Sequence, residues 1–264
     1  TFVATCNAIS YVGANPIFVD VDKDTMGLSP YALKDFLQKN AVKRSNGAYN
    51  KKSGKKIAAC VPMHTFGFPC RIKKISSICK EWGITVVEDA AESLGSYVGK
   101  KHTGTFSLIA SLSFNGNKII TTGGGGMLIT NNLKLAKRAK HITTTAKISN
   151  SYEFIHDEIG YNYRMPNLNA ALGCAQVEQL NKFLLKKKIL ANHWSNFFEK
   201  KKNSIIKPLK GNKANYWLNS VVFNSKKERD KFLNFTNKKG VMTRPIWRLM
   251  SELKMFKSCQ NDGL

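Results

Sequence analysis

The sequence predicts an α/β layer fold followed by a smaller α+β unit, on three observations. Over the first two-thirds, short β-branched runs alternate with stretches whose apolar residues recur at helical spacing. From about residue 166 a long amphipathic pattern takes over, and a strand–helix–strand rhythm follows it. The 264 residues, 42% hydrophobic, suffice for one sizeable core, or for a large domain with part of a second.

Taken in order, Pro16 to Asp22 is expected to be a buried strand. Ser29-Pro30 opens a helix, because Ser is a good N-cap and Pro is pre-set for the first helical position. Leu33, Phe36 and Leu37 give that helix its apolar face. Lys39 to Lys56 is polar, with a turn expected at Ser53-Gly54, and reads as an exposed insertion or hairpin. Ile57 to Met63 is the next strand, and Ile72, Ile75, Ile78 and Trp82 mark one face of the next helix. The β-branched run Ile84 to Val87 leads straight into Glu88-Asp89-Ala90-Ala91. Leu108 to Phe114 is a strand, then come the glycines Gly123 to Gly126 and a strand at Met127 to Ile129. This rhythm puts Asp89 and Lys118 just past the carboxyl ends of buried strands, where ligands bind in open α/β sheets. After a polar, aromatic loop at 146–166, Leu168, Leu172, Ala175, Leu180, Phe183 and Leu184 fit helical spacing, continued by Ile189, Leu190, Trp194 and Phe197. Tyr216 to Phe223 is expected to be a strand, Lys226 to Asn237 a helix, and Gly240 to Thr243 the start of a further strand.

A net charge of +25 raises nucleic acid as a partner. The basic residues are mostly Lys, however, and thicken in surface-like clusters at Lys51-Lys52, Lys55-Lys56, Lys186 to Lys188 and Lys200 to Lys202. Arg, which reads phosphates and bases by bidentate contacts, is scarce, so a solvated lysine-rich surface is expected and no nucleic-acid partner. Cys6, Cys60, Cys70, Cys79, Cys174 and Cys259 are scattered without a C-x-x-C pair, which favours free thiols in a reducing cytoplasm. No His/Cys/carboxylate cluster has metal-ligand spacing, and no metal is expected. No apolar run approaches the roughly 20 residues of a membrane-spanning helix, so a soluble, cytoplasmic protein without a membrane partner is expected. The chain opens on Thr1 rather than Met and ends at Gly263-Leu264 without an evident closing element, so both ends are expected to be cut.

The run Ser113-Phe114-Asn115-Gly116-Asn117-Lys118, followed by Thr121-Thr122-Gly123-Gly124-Gly125-Gly126, resembles the DegT/StrS family of sugar-nucleotide aminotransferases. The resemblance runs from Thr1-Phe2-Val3-Ala4-Thr5 through Asp89-Ala90-Ala91-Glu92-Ser93 to Gly160-Tyr161-Asn162-Tyr163-Arg164-Met165, in the family's order. Met63 to Pro69 and Ser113 to Gly126 are most similar to the branch that aminates a UDP-linked 4-keto sugar for legionaminic-acid-type synthesis. Gly124 stands where the family usually has Glu, and Ser107-Leu108 where a Gly-Asp pair is common. The family's Ser-Gly-Thr-type phosphate motif should precede Thr1.

The resemblance implies a fold-type I PLP-dependent transferase. That means a three-layer α/β/α large domain with a mostly parallel sheet over residues 1–165, its N-terminal part missing. An interdomain helix and a small α+β domain would follow over 166–264, its end missing. It also implies pyridoxal 5'-phosphate as cofactor, held as a Schiff base by Lys118. Transamination needs an amine that binds the cofactor, leaves when substrate amine arrives, and then shuttles a proton; lysine does all three. Family members with histidine in its place are dehydratases, and this chain keeps the lysine. The plain alternative is one exposed lysine among many, which sits poorly with a strand end before a glycine run. Asp89 would pair with the pyridine nitrogen so that the ring accepts electrons, or else cap a following helix. Ser113 would bond the cofactor phosphate, or only its local backbone. Glu92 would approach the phenolic oxygen, or be a helix-surface carboxylate; Phe2 would lie against the ring, or be a core aromatic. Asn162 would reach the phosphate in the neighbouring subunit of a homodimer with shared active sites. Tyr152, Phe154, Tyr161 and Tyr163 would anchor that interface, or pack on their own subunit. The partners implied are a nucleotide-linked 4-keto-6-deoxy sugar and an amino-acid donor, glutamate in most of the family, in surface-glycan sugar biosynthesis. A rival reading, motivated by the charge, is a non-catalytic basic binding or regulatory protein on the same fold; intact Lys118 and Asp89 speak against it.

Overall fold

The computed structural model describes residues 2–201 and 204–263; Thr1 of the first motif, Lys202 of a lysine cluster and Leu264 lie outside them. In chain order the elements are α1 (Val3–Tyr11), α2 (Pro30–Asn40), β1 (Ala41–Arg44), β2 (Gly47–Asn50) and β3 (Ala59–Cys60). Next come α3 (Ile72–Glu81), β4 (Thr85–Asp89), β5 (Tyr97–Val98), β6 (Lys101–His102), β7 (Ile109–Ser113) and β8 (Gly126–Ile129). The second half holds α4 (Leu133–Thr143), α5 (Asn167–Glu178), α6 (Leu180–Lys200), β9 (Ser204–Ile205), β10 (Asn212–Lys213), β11 (Val221–Val222) and α7 (Lys226–Lys238).

The site rests on a four-stranded sheet of order β3-β4-β7-β8. The β3/β4 and β4/β7 pairs are parallel, with Cys60 beside Val86 and Asp89 beside Ser111. β8 closes the sheet antiparallel to β7, with Ser113 opposite Gly126. The parallel pairs need helical crossovers, and α3 supplies the one between β3 and β4. Leu33, Phe36 and Leu37 of α2 and Ile72, Ile75 and Cys79 of α3 are buried in one core with Val86 of β4. Ala90, Leu112, Phe114 and Ile120 form a second cluster, against which Leu180 and Phe183 of α6 pack. The Ser29 cap forms as expected, its hydroxyl accepting the Ala32 N–H at 3.4 Å. The polar 39–56 stretch is the antiparallel β1/β2 hairpin.

Several expected strands are shorter or absent. Pro16 to Asp22 is extended but holds only single bridges, Phe18 with Asn261 and Val21 with Leu28. Its N–H groups go to the Gln260 carbonyl, the Asp262 carboxylate and the Gly27 turn, so no sheet neighbour is needed. Ile57 to Met63 pairs at Ala59–Cys60, with one more bridge from Met63 to Asp89. In Tyr216 to Phe223 only Val221–Val222 pairs, because Asn215 and Trp217 spend their polar groups on the 92–96 turn and on Asn117. Gly240 to Thr243 forms no strand; Thr243 bonds back to Thr236 and Asn237 of α7. The long pattern after residue 166 is two helices, α5 and α6, meeting at Gln179. Helix α1 had no sequence expectation, and β5, β6 and β10 form a small antiparallel sheet that periodicity over two residues cannot announce.

Ile75 is fully buried under the sheet. Ile75→Ala should therefore lower unfolding stability by about 2–5 kcal/mol. Denaturant titration checks this, and an unchanged midpoint would place Ile75 outside the core.

Candidate active site

Asp89 ends β4, its N–H donating to the Pro62 carbonyl at 3.0 Å and its own carbonyl accepting the His64 N–H at 3.2 Å. Its carboxylate accepts the Thr5 hydroxyl at 2.6 Å on one oxygen and the Ala91 N–H at 3.1 Å on the other. No helix follows it; residues 90–96 are turns, so the helix-cap alternative is replaced by a local turn. Glu92 lies in those turns and is buried, not on a helix surface. One of its oxygens accepts the Phe66 N–H at 2.7 Å and the other lies 3.6 Å from Lys118 Nζ. Burial pushes the Glu92 carboxyl up to about 7, against the Phe66 N–H and the Lys118 charge; the nearby Asp89 adds to the rise.

Lys118 sits in the turn after β7 with its side chain only 13% exposed; of the lysines expected in solvated clusters, Lys187 is also partly buried, because its amine donates to the Trp217 carbonyl. Besides Glu92, Lys118 meets the indole of Trp217, whose ring centroid is 4.0 Å from Nζ. Asp89, Glu92 and Lys118 are thus brought together at the carboxyl edge of the parallel strands. Ser113 stands at the end of β7, and its hydroxyl accepts the Asn115 N–H at 3.3 Å, the local bond anticipated as its plain alternative. Phe2 is half-exposed and packs on Trp247 at 5.4 Å; Trp247, Phe66 and Trp217 continue as ring neighbours towards Lys118. Asn162 stands apart, exposed and bridged to Thr144, with no described bond to the cluster. The glycine run forms a tight turn: a side chain on Gly126 would meet the Leu112 carbonyl at 2.5 Å, and Gly123 and Gly125 have φ of 80° and 98°.

Sequence reasoning missed the frame around these residues. Thr5 and Trp217 lie 84 and 100 positions from the groups they touch. Glu88 is fully buried, and its carboxylate accepts from Gly104 N at 2.6 Å, Phe106 N at 2.8 Å and Ser107 Oγ at 2.8 Å, with His64 Nε2 at 3.1 Å. Burial pushes Glu88 up, but these partners outweigh it and hold it below the usual carboxylate range. The Cys70 N–H on Nδ1 assigns His64 the Nε2–H tautomer, donating to Glu88, so His64 is a core residue. The fold also gathers His141, Asp157 and Glu158, which no spacing announced; among the described residues Glu158 is engaged by Arg138 and Asp157 by His141. A groove of about 1120 Å³ beside the glycine run is lined by Ser111, Met127, Lys140, Tyr161 and Arg164, and not by Lys118 or Asp89. No helix among the described residues is long and apolar enough to cross a membrane.

The model of the DegT/DnrJ/EryC1/StrS aminotransferase family matches residues 1–263. The chain belongs to this family. It is 36% identical over 259 residues to the GDP-perosamine synthase of Escherichia coli O157:H7, covering 97% of this chain and 65% of that protein. The chain thus spans just under two-thirds of that relative's length. Helicobacter pylori PseC, an aminotransferase involved in the biosynthesis of pseudoaminic acid, superposes with a TM-score of 0.86 at 22% identity, over 97% of this chain and 66% of that one. Spr1654 from Streptococcus pneumoniae, in its PLP-form, superposes at 0.82 with 20% identity, over 97% and 67%. At such identities the two structures establish the fold: the α/β architecture of this family, with its mostly parallel sheet.

The raised Glu92 carboxyl has a consequence for folding. Between its ordinary value of 4.5 and about 7 the folded chain binds a proton at Glu92 that the unfolded chain has lost. Stability should fall as pH rises through that window and level off above it. Glu92→Gln should flatten this slope in melting temperatures taken from pH 5 to 8; parallel curves for the two proteins would refute it.

Proposed function

We propose that this chain is the greater part of a PLP-dependent aminotransferase that delivers an amino group, from glutamate, to a nucleotide-linked 4-keto-6-deoxy sugar for surface-glycan synthesis in the cytoplasm. The observation that carries the proposal is a mostly buried lysine amine held between Glu92 and an indole face, beside the buried Asp89. The residues present fit the cofactor: an amine, a buried carboxylate oriented by a hydroxyl, a second carboxyl that is protonated near neutrality, and a serine at the strand end. Residues 1–165 would form the cofactor-binding domain and 166–264 the interdomain helix and small domain.

When bound, PLP supplies a reactive carbonyl and an electron sink. Lys118 Nζ would hold the cofactor and, once released, carry a proton at that nitrogen. Asp89 would hold a proton at the pyridine nitrogen, with the Thr5 hydroxyl fixing one carboxylate oxygen. Glu92 would offer its proton to the phenolic oxygen. Ser113, whose hydroxyl accepts from Asn115 and keeps its own hydrogen to donate, would bond the phosphate. Phe2 would serve at the rim of the ring site, at the outer end of the aromatic row. The relatives' names, GDP-perosamine synthase and an aminotransferase involved in the biosynthesis of pseudoaminic acid, support a nucleotide-sugar acceptor. The nucleotide is to be decided by assaying UDP-, GDP- and dTDP-keto sugars.

A homodimer with shared sites is part of the proposal. Tyr152 and Phe154 are 95% and 80% exposed, Phe154 carrying the Lys147 amine 3.6 Å from its ring centroid, and both leave aromatic surface that suits an interface. Asn162, on the same loop and free of the local cluster, would then complete the partner's site. The non-catalytic reading, which the charge motivates, is not favoured, since the Lys118 side chain is mostly buried and Asp89 is buried.

Lys118→Ala should abolish the borohydride-fixed PLP adduct while the fold persists by circular dichroism; an adduct retained by the variant would sink the assignment. Asp89→Asn should keep PLP bound yet slow amino transfer by about 10²-fold or more, on the scale of losing one preorganised electrostatic partner. An unimpaired variant would reduce Asp89 to a turn residue. Asn162→Ala should weaken PLP binding in a protein that light scattering shows to be a dimer. Normal PLP affinity in a monomer would refute the shared site.

A further inference from the structure

We infer that Trp217 is the positioning residue for Lys118, setting the lysine's place through its indole N–H and its ring face. The inference rests on the reading that Lys118 holds the cofactor. The turn that bears Lys118 is exposed at Asn115, Gly116 and Asn117, and its own bonds are short-range: Asn115 N–H to Ser113 Oγ at 3.3 Å, Asn115 Nδ2 to Asn117 Oδ1 at 3.5 Å, and the Lys118 N–H to the Asn115 carbonyl at 3.0 Å. A further restraint comes from far along the chain. The Trp217 Nε1–H donates at 2.6 Å to the Asn117 carbonyl, which belongs to the peptide unit leading into Lys118. The same indole presents its face to Nζ at 4.0 Å. One side chain therefore fixes both the backbone and the tip of the lysine.

Trp217 can do this because it is itself immobilised. It is buried, its N–H donates to Asn215 Oδ1 at 2.8 Å, and its carbonyl accepts Lys187 Nζ at 3.0 Å. Asn215 is buried in turn and donates from Nδ2 to the Glu92 carbonyl at 2.7 Å and the Leu94 carbonyl at 2.9 Å. Its own N–H reaches Ser96 Oγ at 3.0 Å. Tyr216, between these two anchors, is forced to a φ of 51°, strain that only an over-determined segment sustains. Gly67 makes room: a side chain there would collide with Asn215 Oδ1 at 1.7 Å. Asn215 thus bolts Trp217 to the turn that carries Glu92, so both neighbours of the Lys118 amine stand on one frame. A merely space-filling aromatic needs neither the indole bond nor the coupling to Glu92.

The test separates placement of the amine from integrity of the site. Pyridoxamine phosphate has no carbonyl to join to lysine, so its affinity reports the rest of the site; the rate of borohydride-fixable attachment of PLP to Lys118, read by peptide mass spectrometry, reports the amine. Trp217→Leu should slow attachment by about tenfold or more, as expected for a misplaced reacting group, while pyridoxamine phosphate binds within about twofold of the parent. Trp217→Phe keeps a ring face and loses the N–H, and should fall between the two. Attachment at the parental rate in Trp217→Leu, or equal losses of attachment and of pyridoxamine phosphate binding, would overturn the inference. If Trp217→Leu does not fold, Trp217→Phe and Lys187→Met decide: slower attachment with intact pyridoxamine phosphate binding in either supports it, and parental rates in both overturn it. Absence of any Lys118 adduct in the parent protein would instead strike the underlying assignment of Lys118, and the inference with it.

Discussion

Glu92 accepts the Phe66 N–H through one carboxyl oxygen and faces the Lys118 amine 3.6 Å away through the other, while its backbone carbonyl takes the Asn215 amide. A carboxyl withdrawn from water is tolerated only where such partners meet it or where it keeps its proton, and here both conditions operate. The arrangement ties three distant parts of the chain together. Phe66 brings the segment before α3, Lys118 the turn after β7, and Asn215 the segment that carries Trp217. Phe66 itself adopts a φ of 55°, unusual for a bulky residue, and delivers its N–H to Glu92 from that conformation. Strain there and at Tyr216 brackets the site, as expected where geometry rather than local preference decides the backbone.

Behind this lies a second, quieter network. Glu88 is fully satisfied by backbone and hydroxyl donors and by His64, none of which reaches Lys118. Its neighbour Asp89 points the other way in the pleat, towards Thr5 of α1. Two adjacent acids therefore separate by strand alternation alone: one a structural anchor holding the 104–107 loop, the other facing the candidate cofactor space. The same neighbourhood produces opposite shifts, Glu88 held low by its donors and Glu92 driven up by burial.

The sequence carried much of this. Ser29-Pro30, the apolar spacing of α2 and α3, and the β-branched run of β4 each specify their element locally, and each formed as expected. Where strands shortened or failed, the apolar pattern at 16–22 and 216–223 went with partial burial but was silent about pairing, while Val241 and Met242 of 240–243 are exposed. A strand exists only when a neighbour offers its backbone, and those segments bond instead to side chains, turns and helix α7. Periodicity over two residues cannot announce β5, β6 or β10 either.

For the site, the ordered motifs around Asp89, Lys118 and the glycine run were enough to place the chain in its family and to single out the lysine and the carboxylates. Those choices depend on chemistry that a residue type and its local turn already express. The Thr5 bond to Asp89, the indole bond to the Asn117 carbonyl and the Asn215 bolt depend instead on contacts across 84, 100 and 123 positions. No local propensity encodes such contacts. Only the closing of the sheet and the packing of the second half of the chain against the 92–96 turn bring them within hydrogen-bonding reach.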